Sequence, residues 1–270
     1  MDCSYQNLGG DALEIEHDYG PKVHLLRSPV MNTVLARLGS PKSFQPHLNR
    51  YVDIAYQYLL GQALSVCCET RVEKIETRMS ALTEHGNYHG EVLEPSSSFV
   101  VVDLARAGTF PSHLIFDQLH DLFKAENLRQ DHFYLNRKVN EQDQVIGVDV
   151  SGSKIGGGQD NSYVLFPDPM GATGGSLSHC VSHYKNEVAG RAKRYLALHI
   201  IITPEYIARM QQDHPDVEIF ALRLDRGLSS KDVLAAKPGS RQNEERGLTD
   251  TQYIVPGAGG VGEILNNSFV

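Results

Sequence analysis

Thr173, Gly174, Gly175 and Ser176 form the group in this chain best suited to hold a phosphate. Four successive backbone N–H groups and two hydroxyls lie in one short run, and the glycines, lacking Cβ, let an anion approach the main chain. A helix-like segment from Leu177 to Tyr184 follows, and its positive end would add to the cradle. Upstream, Tyr163 to Phe166 is apolar and reads as a buried strand. The strand thus opens into a helix through the loop Asp168-Pro169-Met170-Gly171-Ala172-Thr173-Gly174-Gly175-Ser176. Asp168, five positions before Thr173, suits a sugar hydroxyl or a metal bound to it. Gly-Gly-Ser alone is also a common plain turn, and the nine-residue context makes it more specific.

Two arginines follow apolar strand-like segments. Arg106 ends Phe99-Val100-Val101-Val102-Asp103-Leu104-Ala105 and precedes Ala107-Gly108, at a strand end where open α/β sheets bind ligands. A surface ion pair is the plainer reading of such a residue. Arg137 lies in Asn136-Arg137-Lys138, where solvated basic residues are also common. Gly257, Gly259 and Gly262 match the dinucleotide spacing Gly-x-Gly-x-x-Gly. That fingerprint must open a helix in a βαβ unit and be followed by an acidic residue about twenty positions on, which the eight remaining residues cannot provide.

The formal charge is −8. A general nucleic-acid or anionic-membrane surface needs a basic face, so no nucleic-acid or membrane partner is expected and any phosphate site must be local. A length of 270 residues with 41% hydrophobic content fits one large α/β domain with decoration. The longest apolar runs, such as 196–203, are far below a membrane span, and Met1-Asp2-Cys3-Ser4 has neither a basic nor an apolar leader character. A cytoplasmic protein is the expectation. The four cysteines, Cys3, Cys67, Cys68 and Cys180, contain no Cys-x-x-Cys and read as reduced thiols. Of the histidines His85 and His89 are the best spaced for a metal, with three residues between them, but they lie in a turn-like segment with no cysteine or second histidine pair beside them, and no metal ligand is assigned.

The elements that must position these residues follow from periodicity. From His47 to about Glu76, Tyr51, Ile54, Ala55, Tyr58, Leu59, Ala63 and Val66 recur at helical spacing and predict one long amphipathic helix. Strands are expected at 99–105, 132–136, 145–150, 163–166, 196–202 and 217–222, with a loop at 151–160. Helices are expected near 112–125, after the phosphate loop, and at 204–212, where Thr203 precedes Pro204 in the first turn. This alternation indicates a parallel sheet flanked by helices. Residues 1–22 lack periodicity, and the charged and small residues between Asp225 and Tyr253 favour an exposed loop.

The run from Asp168 to Ser176 resembles the 5-phosphoribosyl-1-pyrophosphate (PRPP) loop of type I phosphoribosyltransferases. It is most similar to the Asp-Pro-Met-x-Ala-Thr-Gly-Gly-Ser form of the uracil phosphoribosyltransferase family. Phe99 to Gly108, Phe133 to Lys138, His214 to Ile219 and Tyr253 to Gly262 resemble further family segments in the required order, the last being the uracil-binding loop Tyr-Ile-x-Pro-Gly-x-Gly-Asp-Ala-Gly. The likeness runs from about 23 to 265.

This resemblance implies an α/β fold with a parallel twisted sheet flanked by helices and an N-terminal helical hood region. It divides the chain into an extension at 1–22 and a phosphoribosyltransferase domain at 23–270, with an inserted loop around 226–245. The implied reaction is nucleobase salvage, uracil plus PRPP giving UMP and pyrophosphate, with Mg²⁺ bound mainly through PRPP and a homodimer or higher homo-oligomer as the assembly. By the same resemblance, Thr173 to Ser176 hold the 5-phosphate and Asp168 faces the ribose hydroxyls. Pro169, Met170, Gly171 and Ala172 complete the PRPP loop, and Arg106 and Arg137 neutralise pyrophosphate. Asp168 and Arg106 become the catalytic candidates, while Ile254 and the peptide groups of Gly259, Gly260 and Val261 face the base.

The chain departs from the family at three places. Gly260 replaces an aspartate, Cys68-Glu69 stands where tyrosine-glutamate is usual, and Gly171 replaces a bulkier residue. Two alternatives stay open: a PRPP- or nucleotide-binding regulator with weak or no turnover, and a phosphoribosyltransferase for another nucleobase. Gly260 implies poor use of uracil, improved by Gly260→Asp, unless Glu263, Asp250 or Asp225 supplies the missing carboxylate.

Overall fold

The computed structural model describes residues 13–139 and 145–268, with 136–139 and 145–150 described by their backbone alone. Three apolar strands lie at its centre: β4 (Ser98–Ala105), β7 (Ser162–Pro167) and β9 (Arg194–Ile202). They are buried at almost every position, as expected of parallel strands covered on both faces. The other strands of this sheet are β1 (Val23–Leu25), β5 (Leu128–Val139), β6 (Val145–Lys154), β8 (Met170–Gly171) and β10 (Glu218–Leu224). Its order is β1-β10-β9-β7-β4-β5-β6, with β8 paired to β9. Every pairing is parallel except that of β5 with β6.

Where the site must lie follows from this order. From β4 the chain crosses through α3 (Thr109–His120) to β5 on one side. From β7 it crosses through α4 (Gly175–Glu187) to β9 on the other side. Right-handed crossovers running in opposite directions put α3 and α4 on opposite faces of the sheet. Ile115 and Leu119 of α3 accordingly join one core cluster, and Leu177, Cys180, Val181 and Tyr184 of α4 join the other. The carboxyl ends of β4 and β7 are therefore neighbours at a switch point, with diverging connections that leave a crevice between them.

Helices α1 (Pro29–Leu38) and α2 (His47–Cys67) lie on the α3 face. The buried stripe of α2 is Leu48, Val52, Ala55, Tyr56, Leu59, Ala63 and Cys67, while Tyr51 and Tyr58 are only partly covered and Ile54 is exposed. The helix ends at Cys67, short of the Glu76 that helical spacing suggested. Beyond it, β2 (Thr70–Glu76) pairs antiparallel with β3 (Asn87–Leu93) as a separate two-stranded arm. The β-branched residues Thr70, Val72 and Ile75 suit that ribbon, and no local signal marks the distant strand that pairs with it. His85 and His89 lie in and beside the turn of this arm, and no group of three or more metal-binding side chains occurs among the described residues.

On the other face lies α5 (Pro204–Asp213), capped by Thr203 Oγ1, which accepts the Tyr206 N–H. The strand expected to stop near 150 continues to Lys154, shortening the 151–160 loop. The segment 226–245 is largely exposed, as its composition suggests, yet it is ordered. Arg226 donates to the buried Glu245 carboxylate at 2.7 Å and to the carbonyls of Val233, within the short helix α6 (Lys231–Ala235), and Ala236, just after it. Tyr19, from the N-terminal segment, also donates to Glu245, so extension and insertion close on one another.

Candidate active site

β7 ends at Pro167, and the chain turns through Asp168 to Gly171 into a second pairing with β9 before entering α4. Gly171 is glycine for space: a Cβ there would stand 2.8 Å from Ile202 Cγ2 and 3.0 Å from the Tyr206 ring. Gly174 is glycine for conformation, since its φ of +77° is left-handed. The main chain thereby doubles back and presents the first-turn amides of α4, which have no intrahelical acceptors, to a small recess of about 60 Å³ lined by Met170 to Leu177 with Tyr206 and Gln252. The N-cap residue Gly174 has no side chain to cap this helix, and Thr173 Oγ1 accepts the Gly175 N–H at 3.4 Å. The loop itself is fixed from below: Pro169 is buried, its carbonyl accepting from Ile200 and Ile201, and Thr203 Oγ1 donates to the Ala172 carbonyl at 2.6 Å.

Asp168 is held through its own backbone. Its carbonyl lies 2.5 Å from His199 Nδ1, whose Nε2 lies 2.6 Å from the Tyr206 hydroxyl. A carbonyl only accepts, so Nδ1 carries the proton, Nε2 accepts, and Tyr206 donates. Complete burial keeps the imidazole neutral by pushing its pKa down from 6.5 to about 4, and pushes the Tyr206 phenol well above its ordinary value of 10. The Asp168 carboxylate accepts from Met170 N–H at 3.4 Å.

Above this loop opens a cleft of about 730 Å³. Arg106, one residue past β4, lines one wall, and its Nη1 donates to Ser268 Oγ at 2.7 Å. Asp168, Met170, Ala172 and Ser176 line the floor. Ile254, Gly259 and Gly260 line the far wall, next to α7 (Val261–Asn266). This wall is fastened by a salt bridge: Arg223 donates Nε and Nη2 to Asp225 at 2.6 and 2.8 Å. Asp225 then accepts the Gly257 N–H at 2.7 Å while Arg223 donates to the Gly257 carbonyl at 3.0 Å. On the N-terminal side, the Gln45 amide donates to the Leu265 carbonyl, tying the start of α2 to this wall.

Eight of the residues expected from sequence therefore surround one cavity: Arg106, Asp168, Met170, Ala172, Ser176, Ile254, Gly259 and Gly260. Thr173, Gly174 and Gly175 line the adjoining recess with Gly171. Val261 is different. Its side chain is buried in the core and its N–H donates to the Gly259 carbonyl, so it does not face the cleft. Its apolar β-branched side chain fits that interior role better than a ligand edge. The side chain of Arg137 lies outside the described residues. Tyr134 and Ser151 line the cleft from the β5–β6 ribbon, which runs past the last residue paired to β4, Ala105 opposite Tyr134. Gln252 lines both cavities from a turn where its φ is +64°. Neither contribution is legible without the three-dimensional register.

A sheet with a switch-point crevice, a glycine-shaped recess at a helix start and a second loop facing it define an α/β protein of the phosphoribosyltransferase class. The structure of AQ2163 protein from Aquifex aeolicus shares the fold, with a TM-score of 0.66 over 90% of this chain and 97% of that one at 21% identity. The chain belongs to the uracil phosphoribosyltransferase family, whose profile matches residues 25–240. The uracil phosphoribosyltransferase of Thermococcus kodakarensis is 34% identical over 100 residues, 37% of this chain and 34% of that protein. The one from Mycoplasmoides gallisepticum is 26% identical over 137 residues, 51% and 60% of the respective lengths. The chain thus spans about a third of the length of the first relative. The family match stops short of the wall that carries Gly260.

Proposed function

We propose that the cleft binds PRPP and a nucleobase and transfers the phosphoribosyl group, most simply to uracil, giving UMP and pyrophosphate. The observation that carries this reading is the meeting of an anion recess, a strand-end arginine and a backbone-rich wall around one cavity. The recess at 171–176 takes the 5-phosphate, through amides aligned with the α4 dipole. Asp168 lines the same cleft as Arg106 and lies just before the recess in the chain, which suits it to the ribose hydroxyls. Substitution at an anomeric carbon passes through an oxocarbenium-like state, so the main requirement is to hold ribose and base in line while charge grows on the leaving group. Arg106 meets that charge with a fixed cation, and the interaction strengthens as the bond breaks. Mg²⁺, where bound, would be held chiefly by PRPP oxygens, with the Asp168 carboxylate in the cleft lining, and would neutralise part of the pyrophosphate charge.

The test is pyrophosphate release from PRPP in the presence of a nucleobase panel, together with calorimetry of Mg²⁺-PRPP binding. PRPP binding with uracil-dependent release supports the full reading. PRPP binding without release for any base would leave a binding protein, and no PRPP binding would overturn the reading altogether.

A further inference from the structure

Among the described residues, two carboxylates line the cleft, those of Asp168 and Glu263. Glu263 stands in the first turn of α7, half-buried beside Gly259 and Gly260, and no hydrogen bond or ion pair engages its carboxylate among the described residues. A Cβ added at Gly260 would fall 2.3 Å from Glu263 Oε2 and 3.0 Å from its Cδ. The backbone at Gly260 has φ −76°, which any residue adopts. Space and not conformation thus sets this position: the Glu263 carboxylate fills the volume that a side chain at 260 would occupy, and such a side chain would push that carboxylate aside. The same turn is pressed against the Arg106 wall, since a Cβ at Gly262 would stand 3.3 Å from Ala107 Cβ.

The other acids near this wall are committed elsewhere. Asp225 is buried and taken up by Arg223 and the Gly257 N–H, and Asp250 is exposed and lines no part of the cleft. Glu263 is left as the acceptor facing the cavity from the base wall. A carboxylate accepts hydrogen bonds and repels phosphate oxygens, so its natural partner here is a ring N–H of a nucleobase and not the leaving group.

We propose that Glu263 is the specificity-determining acid of this cleft, accepting a ring N–H of a pyrimidine-type base, and that Gly260 lacks a side chain to give it room. This rests on the cleft being the PRPP and nucleobase site. It reverses the expectation for Gly260→Asp, which would crowd and repel Glu263 and lower uracil turnover.

Glu263→Gln and Gly260→Ala are tested by steady-state kinetics with uracil and PRPP, by calorimetry with Mg²⁺-PRPP, and by thermal melting. The expected result is a rise in KM for uracil of about tenfold or more in both variants, the loss of one charge-assisted hydrogen bond. Mg²⁺-PRPP affinity should stay within about twofold and the melting temperature within a few degrees. Weakened Mg²⁺-PRPP binding at unchanged KM for uracil would assign Glu263 to the metal-pyrophosphate side and overturn the proposal. Unchanged behaviour in Glu263→Gln would overturn it too, leaving the phosphoribosyltransferase reading intact. A wild-type protein that does not bind PRPP would remove both.

Discussion

The support beneath the loop at 168–176 can be probed through His199. Its ring is fully buried between the Asp168 carbonyl and the Tyr206 hydroxyl, and burial pushes its pKa from 6.5 to about 4. The folded state thus keeps neutral a group that the unfolded chain protonates below 6.5. Between the two values the unfolded state binds more protons, so this contribution to stability is complete above the unfolded pKa and is lost as pH falls towards the folded one. From about pH 7.5 to about pH 5 only about 1.5 units of that window are crossed, and at about 1.4 kcal/mol per unit the loss is about 2 kcal/mol. Glutamine offers one donor and one acceptor and does not titrate, so His199→Gln removes the pH dependence while keeping partners available to Asp168 and Tyr206. Urea unfolding of both proteins at the two pH values is the assay. The variant should be less stable at the higher pH, and the gap should narrow by about 2 kcal/mol at the lower one, because only the wild type loses this contribution. Carboxylates shared by both proteins cancel in the comparison. A gap that does not change with pH would refute the neutral, buried imidazole and with it the Tyr206–His199–Asp168 chain.

Arg106→Ala should lose about 2–4 kcal/mol of transition-state stabilisation while melting within a few degrees of wild type; unfolding, or full activity in the pyrophosphate assay, would make the residue structural. Gly174→Ala forces an L residue to φ +77° with its Cβ 3.3 Å from the Arg209 side chain, so calorimetry should show Mg²⁺-PRPP affinity reduced by about tenfold, for a backbone penalty of about 1–2 kcal/mol. Gly171→Ala should destabilise the fold by about 1–3 kcal/mol in denaturant, since the added Cβ has no room against Ile202 and Tyr206. Arg226→Met leaves the Glu245 carboxylate buried without its cation and should lower stability by about 3 kcal/mol, with proteolysis of the 226–245 segment as a second readout.

Several features of this protein are fixed locally and so are legible in the residues alone. The glycine-rich turn into α4 is one, because it is built from consecutive residues and its glycines declare the conformation. The parallel core is another, since Tyr163 to Phe166 and, His199 apart, Leu196 to Ile202 are apolar without alternation and so read as buried on both faces. The capped start of α5 follows from Thr203-Pro204 in the same way. What the residues in order could not reveal depends on partners far away in the chain. The end of α2 at Cys67 was set by β3, twenty residues on, which draws Thr70–Glu76 into a ribbon. The register of β5 on β4 placed Tyr134 over the cleft, and the cis peptide between Ala105 and Arg106 has no local mark. Val261, flanked in sequence by the cleft residues Gly260 and Gly262, was turned into the core by the helix it begins. Gly260 shows the limit most plainly. In sequence it reads as a missing acid, whereas one helical turn later Glu263 returns to the same volume, a juxtaposition that exists only once the 3.6-residue period folds the chain back on itself.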